Sequence, residues 1–174
     1  LENLKSVERG AKVGSRHEST AEHSWACMLI ADIILPYIDE RLDRFKVLEI
    51  LLYHDLVEVY AGDAKFNNPE EMKKKKELES MGLQKVISIL PSSERYEHII
   101  EEYEARKTRE SKFAKAIDCM DALIRAYNDE RKPKDEGFTE KLLRNKYKKH
   151  VQEFEFTDVL FEKLMTILIE QEKI

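Results

Sequence analysis

The chain has 174 residues and a formal net charge of -5, so it lacks the excess positive charge expected of a protein that binds a nucleic acid polymer. It contains only 5 glycines and 4 prolines, which argues against a turn-rich all-β fold. No apolar run is long enough to cross a bilayer, and no signal peptide is visible. Cys27 and Cys119 form no Cys-x-x-Cys pair and favour a reducing, cytoplasmic location.

The first half of the chain is predicted to be mostly helical. Residues 4–9 are expected to form a short helix, and residues 10–17 are expected to form a loop. The sequence Ser19-Thr20-Ala21-Glu22 is a capping box, which predicts a helix from this point to about Leu35. A second helix is predicted over residues 44–59. Because its apolar residues lie on more than one side, we expect it to be central.

The second half of the chain shows the same helical spacing of apolar residues. Helices are predicted over about residues 69–90, 94–106, 108–124, 139–151 and 157–169, with caps at Asn68, at Ser93 and at either Thr108 or Ser111. A charged turn is expected over residues 132–137. The sequence therefore predicts an all-α fold, a helical bundle of one domain over residues 1–174 with C-terminal helices over about 139–172.

Four polar side chains lie on helices that are otherwise apolar. His54 and Asp55 are adjacent and flanked by leucine and valine, His23 lies in the first turn of its helix, and Asp118 follows alanine and isoleucine. Burial of such groups is costly unless they are paired, and a divalent cation would pair them. Two imidazoles and two carboxylates suit one divalent transition metal (Mn, Co, Ni, Fe or Zn) better than Mg or Ca.

Each of these residues also has a plainer interpretation. His-Asp dipeptides often arise by chance, and His54 could be a core histidine bonded to a neighbouring carboxylate. His23 could simply decorate a helix start, and Asp121 lies on the same helix face as Asp118 and competes with it. Glu58 follows His54 by four residues, which would put its carboxylate near a water that the metal activates, or leave it as a solvated helix residue.

Taken together, the motifs resemble those of the HD-domain metal-dependent phosphohydrolases, and most closely their nucleotidase-like branch, which includes 5′-deoxynucleotidases. The resemblance rests on Arg16-x-Glu18-x-x-Ala21-Glu22-His23-Ser24-Trp25, His54-Asp55-x-x-Glu58, Gly62-Asp63 and Lys115-Ala116-Ile117-Asp118. It covers about residues 4–125. The ordered set of His, His-Asp and Asp is far more specific than the dipeptide alone. It implies a helical domain of the HD type with its metal-site core over about residues 15–125.

The resemblance also implies a role for each site residue. One divalent metal would be bound by His23, His54, Asp55 and Asp118. The catalytic residues would be Asp55 and Glu58, with Glu58 as general acid or base. The substrate would be contacted by Arg16 and Lys65 at its phosphate and by Asp63 at its sugar. The implied reaction releases phosphate from a (deoxy)nucleoside 5′-monophosphate, a small-molecule phosphate ester.

One region departs from the pattern of that branch. The 5′-deoxynucleotidases carry an Arg and a bulky aromatic residue before the first His, and they use both to distinguish the sugar. This chain has Glu8-Arg9-Gly10-Ala11 there, without an aromatic residue and with Arg9 displaced by about one position. Arg9 is therefore a second candidate for the Arg role, and a preference for deoxyribose over ribose does not follow from the sequence.

Other functions and assemblies fit the same residues. A phosphodiesterase or a guanosine-alarmone hydrolase would use the same metal site, although the short loops after Asp63 favour a small substrate. A non-catalytic helical module that binds a nucleotide or a partner helix is the third possibility, and the presence of Glu58 argues against it. The apolar residues over 154–168 could mediate a homodimer or pack against their own chain. No membrane partner is expected.

Overall fold

The computed structural model describes residues 2–63, 69–130 and 133–174. Helices dominate these ranges, which confirms the predicted all-α fold class. Their bounds are α1 (Thr20–Ile34), α2 (Arg44–Tyr53), α3 (Glu58–Ala61), α4 (Pro69–Ile89), α5 (Ser93–Ala105), α6 (Arg109–Asn128), α7 (Glu140–Val151) and α8 (Glu155–Glu170). Among these described helices, none has the combination of length and apolar character that crossing a bilayer requires.

The segment before α1 differs from the prediction. Residues 2–6 form a 3-10 turn, and two short antiparallel strands follow, β1 (Glu8–Val13) and β2 (Arg16–Ser19). The strands pair Lys12 with His17, and Gly14 takes a positive φ of 60° at the turn. The short helix over 4–9 and the loop over 10–17 were therefore wrong. These strands have too few apolar residues to show the alternation by which a strand is identified.

Helix α1 begins as its capping box predicts. The Ser19 hydroxyl accepts the Glu22 amide at 3.3 Å, and the Glu22 carboxylate accepts the Ser19 amide at 2.9 Å. At α6 the cap is Thr108, whose hydroxyl accepts the Ser111 amide at 3.2 Å. The predicted cap at Ser93 was wrong because α5 already includes that residue, and its preceding residue has a left-handed backbone.

The helix predicted over residues 44–59 is interrupted at the His-Asp dipeptide. Helix α2 ends at Tyr53, and α3 starts only at Glu58. The residues between them form tight turns in which Leu56 N bonds Tyr53 O and Glu58 N bonds Asp55 O, both at 3.0 Å. In a continuous helix, consecutive side chains point about 100° apart. The helix is interrupted here, and the ring nitrogen Nε2 of His54 lies 3.2 Å from Oδ2 of Asp55.

Helix α6 forms the centre of the bundle. It packs against α1, α2, α5, α7 and α8, and its side chains at Phe113, Ala116, Ile117, Met120 and Leu123 are fully buried. Polar residues on the same helix, including Asp118 and Asp121, therefore lie within reach of α1 and of the turn after α2.

Apolar residues are buried on the α8 side of the molecule and exposed on the side formed by α1 and α2. Phe154, Phe161 and Leu168 on the α8 side are buried in the core, so the C-terminal segment packs back on its own chain. By contrast, Trp25 is 64% exposed on the outer face of α1, and Phe45 is 73% exposed on the neighbouring α2. The expectation of surplus apolar surface at the C-terminus is thus replaced by an exposed face on α1 and α2.

Candidate metal centre

His23 is fixed from two sides in the first turn of α1. The side chain is fully buried, with Nδ1 2.7 Å from Asp121 Oδ2 and Nε2 3.1 Å from Asp118 Oδ1. Burial alone would lower the pKa of His23, but hydrogen bonds to these two carboxylates raise it well above its usual range. A proton and a metal ion would therefore compete for the same nitrogen, Nε2.

His54 is oriented by the helix that it terminates. Its Nδ1 lies 2.8 Å from the carbonyl oxygen of Leu51, which can only accept, so Nδ1 carries the proton. Its Nε2 then faces inward, 3.3 Å from Nε2 of His23. A metal-binding histidine commonly donates its other ring N–H to a carbonyl or carboxylate in this way.

Asp55 and Asp118 bring carboxylate oxygens to the two imidazoles. Asp55 Oδ2 lies 3.2 Å from His54 Nε2 and 3.6 Å from His23 Nε2. Burial alone would raise the pKa of Asp55, but the charges of His54 and His23 outweigh it and lower that pKa. Both carboxylates therefore remain ionised at neutral pH, as metal ligands must.

The outer oxygen of Asp118 is held by two donors. The Tyr103 hydroxyl donates to Asp118 Oδ2 at 3.0 Å and the Lys115 ammonium donates to it at 2.7 Å. Burial acts to raise the pKa of Asp118, but the charge of Lys115 and the bond to His23 lower it well below its usual range. Oδ1 is left directed at His23.

These donor atoms fit a transition metal by their spacing. His23 Nε2 lies 3.1–3.6 Å from the donor atoms of His54, Asp55 and Asp118. Two ligands at about 2.1 Å from one ion, at right angles, are about 3.0 Å apart, so small adjustments suffice. Cys27 Sγ is also close, 3.6 Å from the His23 ring, but burial raises the pKa of this thiol to about 11. Without a metal ion the thiol is therefore protonated at neutral pH.

Behind His23 lies a buried network that the sequence analysis did not assign. Asp121 Oδ2 accepts Nε of Arg125 at 2.7 Å in addition to the His23 ring, and Arg125 also pairs with the buried Glu18. Asp121 was weighed as a competitor of Asp118 for the metal. The structure gives it the other nitrogen of the same histidine, a placement that sequence spacing alone cannot distinguish.

Glu58 is buried at the start of α3. Its Oε2 accepts the Thr20 hydroxyl at 2.8 Å. Burial raises the pKa of Glu58 well above its usual range, and the negative charges of Asp55 and Asp63 raise it further. The side chain can therefore hold a proton at neutral pH and deliver it to a reacting oxygen. The sequence did not indicate Thr20 as the partner of Glu58, because Thr20 was interpreted only as part of the capping box.

The predicted substrate residues separate in the structure. Arg16 lies on the exposed side of β2, where its Nη1 donates to Glu22 at 2.8 Å, and it does not line the cavity over the metal centre. Arg9 on β1 lines that cavity instead, with Nη1 3.1 Å from Asp55 Oδ2. Asp63 also lines the cavity and accepts the Gly10 amide at 3.4 Å. Lys65 lies outside the described residues.

The cavity has a volume of about 1180 Å³ and lies between β1 and the helices α4, α5, α6 and α7. The metal-site residues His54, Asp55, Glu58 and Asp118 contribute to its wall. This volume exceeds the range of about 300–1,000 Å³ that is usual for sites of small ligands. The cavity can therefore hold a nucleotide together with further groups.

Comparison with known proteins gives consistent results for most of the chain. The profile of the HD domain family matches residues 1–158. The 5′-deoxynucleotidase HDDC2 of Homo sapiens is 33% identical over 125 residues, which cover 68% of this chain and 59% of that protein. The Mus musculus protein of the same name is 32% identical over 123 residues. The chain thus spans 59% of the length of the curated relatives that it matches.

Solved structures show the same fold. A protein described as a predicted metal-dependent phosphohydrolase, from Magnetospirillum magnetotacticum, superposes with a TM-score of 0.85 and 27% identity. The match covers 99% of this chain and 89% of that one. A conserved hypothetical protein from Pyrococcus furiosus superposes with a TM-score of 0.60 and 28% identity, over 73% of this chain and 76% of the other.

Proposed function

Because this chain belongs to the HD domain family, we propose that it is a metal-dependent phosphohydrolase, and specifically a phosphomonoesterase acting on (deoxy)nucleoside 5′-monophosphates. The observation that carries the proposal is the convergence of imidazole nitrogens and carboxylate oxygens from α1, α6 and the turn after α2 within 3.1–3.6 Å of His23 Nε2. The names of the human and mouse relatives support the nucleotide substrate, and that of the Magnetospirillum protein supports the metal.

His23, His54, Asp55 and Asp118 would hold one divalent cation. When bound, the cation would polarise the phosphoryl group and lower the pKa of a water molecule. The mixed nitrogen and oxygen set supports Mn, Co, Ni, Fe or Zn, among which ligand type alone does not discriminate. We therefore propose to reconstitute the protein with Mn and with Co in parallel.

In this mechanism Arg9, rather than Arg16, orients the substrate phosphate. Its guanidinium lines the cavity and donates to Asp55 Oδ2, and burial of its side chain leaves it little freedom. Burial acts to lower the pKa of Arg9, but the charges of Asp55 and Asp63 raise it, so the positive charge persists. A planar guanidinium suits bidentate contact with phosphate oxygens.

Glu58 would supply the proton that the departing 5′-oxygen of the nucleoside needs. The Thr20 hydroxyl fixes its Oε2, which leaves the other oxygen to reach the cavity that Glu58 lines. Asp63 lines the same cavity near β1, which supports the proposed contact with the sugar hydroxyls. The proposed role of Lys65 at the phosphate stays a prediction from the sequence.

A nucleotide panel tests this function. Purified chain with Mn or Co should release phosphate from nucleoside or deoxynucleoside 5′-monophosphates, and chelation should abolish the release. Asp55→Ala should be inactive, whereas Asp39→Ala, at an exposed aspartate outside the cavity, should be as active as the wild type. Phosphate release that survives Asp55→Ala would rule out this mechanism. The ratio of deoxyribose to ribose substrates measures the sugar preference.

The cavity volume favours a second candidate substrate class. A phosphodiesterase or an alarmone hydrolase needs more room than a mononucleotide, and about 1180 Å³ provides it. A comparison of a phosphodiester with the matching monoester separates these classes, because faster cleavage of the diester would displace the monoesterase proposal. A non-catalytic module is disfavoured because Glu58 is buried and held by Thr20 close to the metal centre.

We also propose a homodimer and a cytoplasmic location. Trp25, Leu29, Ile33 and Tyr37 follow one another at intervals of four residues on the outer side of α1 and just beyond it, and all are 47–64% exposed. With Phe45 on α2, they offer on the order of 500 Å² of apolar surface, a large part of the about 800 Å² that a standard interface takes from each partner.

The proposed cytoplasmic location is supported by the free thiols of Cys27 and Cys119, which suit a reducing compartment.

A further inference from the structure

One stretch of the cavity wall beyond the metal centre is basic, although Glu101 and Glu104 line the cavity as well. Lys115 of α6 lies beside Asp118, and the wall continues through a set of residues from α7 and the end of α5, all of which line the same cavity. We name this set, together with Lys115, the α7 basic cluster: Arg106, Lys115, Lys146, Lys149 and His150. A smaller side cavity of about 250 Å³ is lined by four of its members together with Lys112 and Glu153.

Lys115 of the cluster is paired with Asp118, but the side cavity adds little further negative charge. Glu153 is the single carboxylate that lines the side cavity, and it already accepts Arg109 at 3.0 Å and Lys112 at 3.2 Å. In the part of the chain that the structure describes, no side-chain hydrogen bond or ion pair joins Arg106, Lys149 or His150 to another residue. This arrangement is unusual in a chain that has 35 acidic residues against 30 basic ones.

The backbone concentrates these like charges. Lys146, Lys149 and His150 are three and four residues apart, so they share one face of α7. Arg106 follows α5 with a left-handed φ of 50°, a conformation that is uncommon for a residue other than glycine. The positive charges of Lys115, Lys149 and Arg106 all act on His150, and an anion bound among them would offset their mutual repulsion.

The titration behaviour agrees with this geometry. Burial lowers the pKa of His150, and the charges of Lys115, Lys149 and Arg106 lower it further, to about 4. Burial and the charge of Lys115 lower the pKa of Lys146 to about 7. Neighbouring positive charge thus contributes, after burial, to lowering both pKa values, and the same charge attracts an anion.

We propose that the α7 basic cluster is a second phosphate-binding subsite, distinct from the position of the reacting phosphate at the metal centre. Its ligand is a phosphate group with two negative charges, because Arg106 and Lys149 both line the side cavity and neither is paired with a carboxylate among the described residues. Two sources have this chemistry: a second phosphate carried by the substrate, and the inorganic phosphate that hydrolysis releases. The choice of phosphate as ligand rests on the proposed function.

The first test measures binding directly. The metal-loaded chain is titrated with inorganic phosphate and compared with the double variant Arg106→Gln/Lys149→Gln. The matched control is Arg41→Gln/Lys163→Gln, which removes the same two charges from exposed positions that do not line either cavity. We expect two binding events in the wild type and the control. In the cluster variant one of them should weaken at least about tenfold, because charge-assisted contacts are lost.

The second test distinguishes the two sources. The value of kcat/KM is measured for a nucleoside 3′,5′-bisphosphate and for the matching 5′-monophosphate. A preference for the bisphosphate that falls about tenfold in the cluster variant and persists in the control identifies the substrate's own second phosphate. Equal use of both substrates, with the second binding event still lost in the cluster variant, identifies released phosphate as the ligand.

Phosphate binding that is the same in the cluster variant and in the control overturns the proposal. All the altered positions are exposed, and equal thermal unfolding of the three proteins verifies that each is folded. If the metal-loaded wild type hydrolyses no nucleotide, the proposed function fails, but the phosphate titration still decides whether the cluster binds phosphate. The two failures are therefore distinguishable.

Discussion

At the scale of single residues, Asp121 determines how His23 is presented to the centre. Its carboxylate holds Nδ1 at 2.7 Å, so Asp121 is a positioning residue. We expect Asp121→Asn to weaken metal binding by about 10–100-fold, because the amide supports the histidine less well. At saturating metal, kcat should change much less than the affinity does. Titration with Co or Mn measures the affinity, and Asp39→Asn serves as control. Unchanged metal affinity would contradict this role.

Glu58 offers a second prediction at this scale. Glu58→Gln keeps the size of the side chain and can still accept the Thr20 hydroxyl, but it cannot deliver a proton. We expect kcat to fall by about 10²–10⁴-fold with the metal content preserved. Steady-state kinetics and metal analysis of the same preparation test this. The control is Glu94→Gln, at an exposed position on α5 that does not line the cavity. A variant with wild-type kcat would remove Glu58 from the mechanism.

His150 makes the stability depend on pH. Its pKa of about 4 in the folded chain lies below its ordinary value of 6.5, so between these values the unfolded chain binds a proton that the folded chain does not. The free energy of unfolding should therefore fall as the pH is lowered from about 6.5 towards about 4. His150→Gln should reduce this loss.

Urea unfolding of the metal-free chain at about pH 7.5 and about pH 5 measures the effect. Metal-free protein is needed because acid also releases the ion from histidine ligands. The exposed His98→Gln variant is the control and should lose as much stability on acidification as the wild type. An equal loss in His150→Gln and the wild type would show that this residue does not contribute.

The structure brings together the four residues that the sequence suggested for the metal centre, whereas it separates Arg16 from the others suggested for the substrate site. His23, His54, Asp55 and Asp118 could be selected together because each is a polar group on an apolar helix. The choice between Arg9 and Arg16 depends on which side of the β1–β2 hairpin faces the bundle. That side is fixed by the strand register, and the polar sequence of the hairpin has no apolar alternation to reveal it.

At the scale of elements, Gly82 sets the approach of α4 to the turn before α3. A Cβ atom at this position would lie 2.7 Å from the carbonyl oxygen of Val57, which is backbone and cannot move aside freely. We therefore expect Gly82→Ala to lower the free energy of unfolding by about 1–3 kcal/mol. The substitution should also weaken metal binding, because Val57 lies two residues after Asp55 in the same turn, and a shift of Val57 would displace the Asp55 carboxylate.

Urea unfolding and a metal titration test this prediction. The control is Gln84→Ala on the exposed side of the same helix, which should change the stability by no more than about 0.5 kcal/mol. If Gly82→Ala proves as stable as the control, the contact between α4 and the turn is looser than the structure indicates.

The elements were mostly predictable because their signals are local. The capping box at Ser19 and the cap at Thr108 each depend on residues within one helical turn. The end of α2 was missed because residues 50–59 contain no proline or glycine, and their apolar character continues through the break. Tertiary burial of His54 and Glu58, which flank the turn, overrides that helical pattern.

At the scale of the whole molecule, the exposed face of α1 and α2 predicts self-association. Trp25→Glu or Ile33→Glu places a charge in the centre of the proposed interface, and desolvating that charge is costly. We expect either variant to be monomeric, or at least about tenfold weaker in dimerisation, with folding intact because both positions are exposed. Light scattering coupled to size-exclusion chromatography measures the mass.

The comparison for this prediction is Ile169→Glu, which alters a similarly large apolar side chain, 40% exposed, on α8. That variant should stay dimeric. If wild-type chain is a monomer at micromolar concentration, or if Ile169→Glu dissociates the dimer and Trp25→Glu does not, the interface does not lie on α1 and α2.

The arrangement as a bundle followed from the sequence, but the position of its surplus apolar surface did not. Helical spacing shows which residues of α8 are apolar, but not that α6 and α7 cover them. Likewise, the apolar residues of α1 lie on two opposite sides, and composition does not tell which side meets α6. Pairing between elements distant in the chain decides both questions.

The division of labour between the hairpin and the helices has a consequence for how this protein can change over time. Helices α1 and α6 and the turn after α2 carry the proposed ligands of the ion, whereas Arg9, whose guanidinium lies beside Asp55, belongs to the largely polar strand β1. Alterations confined to the hairpin would uncouple ion loading from turnover. A descendant changed only in the hairpin would still bind the ion but would not hydrolyse phosphate esters. Such a protein could serve as a sensor or reservoir of the ion with an unchanged helical core.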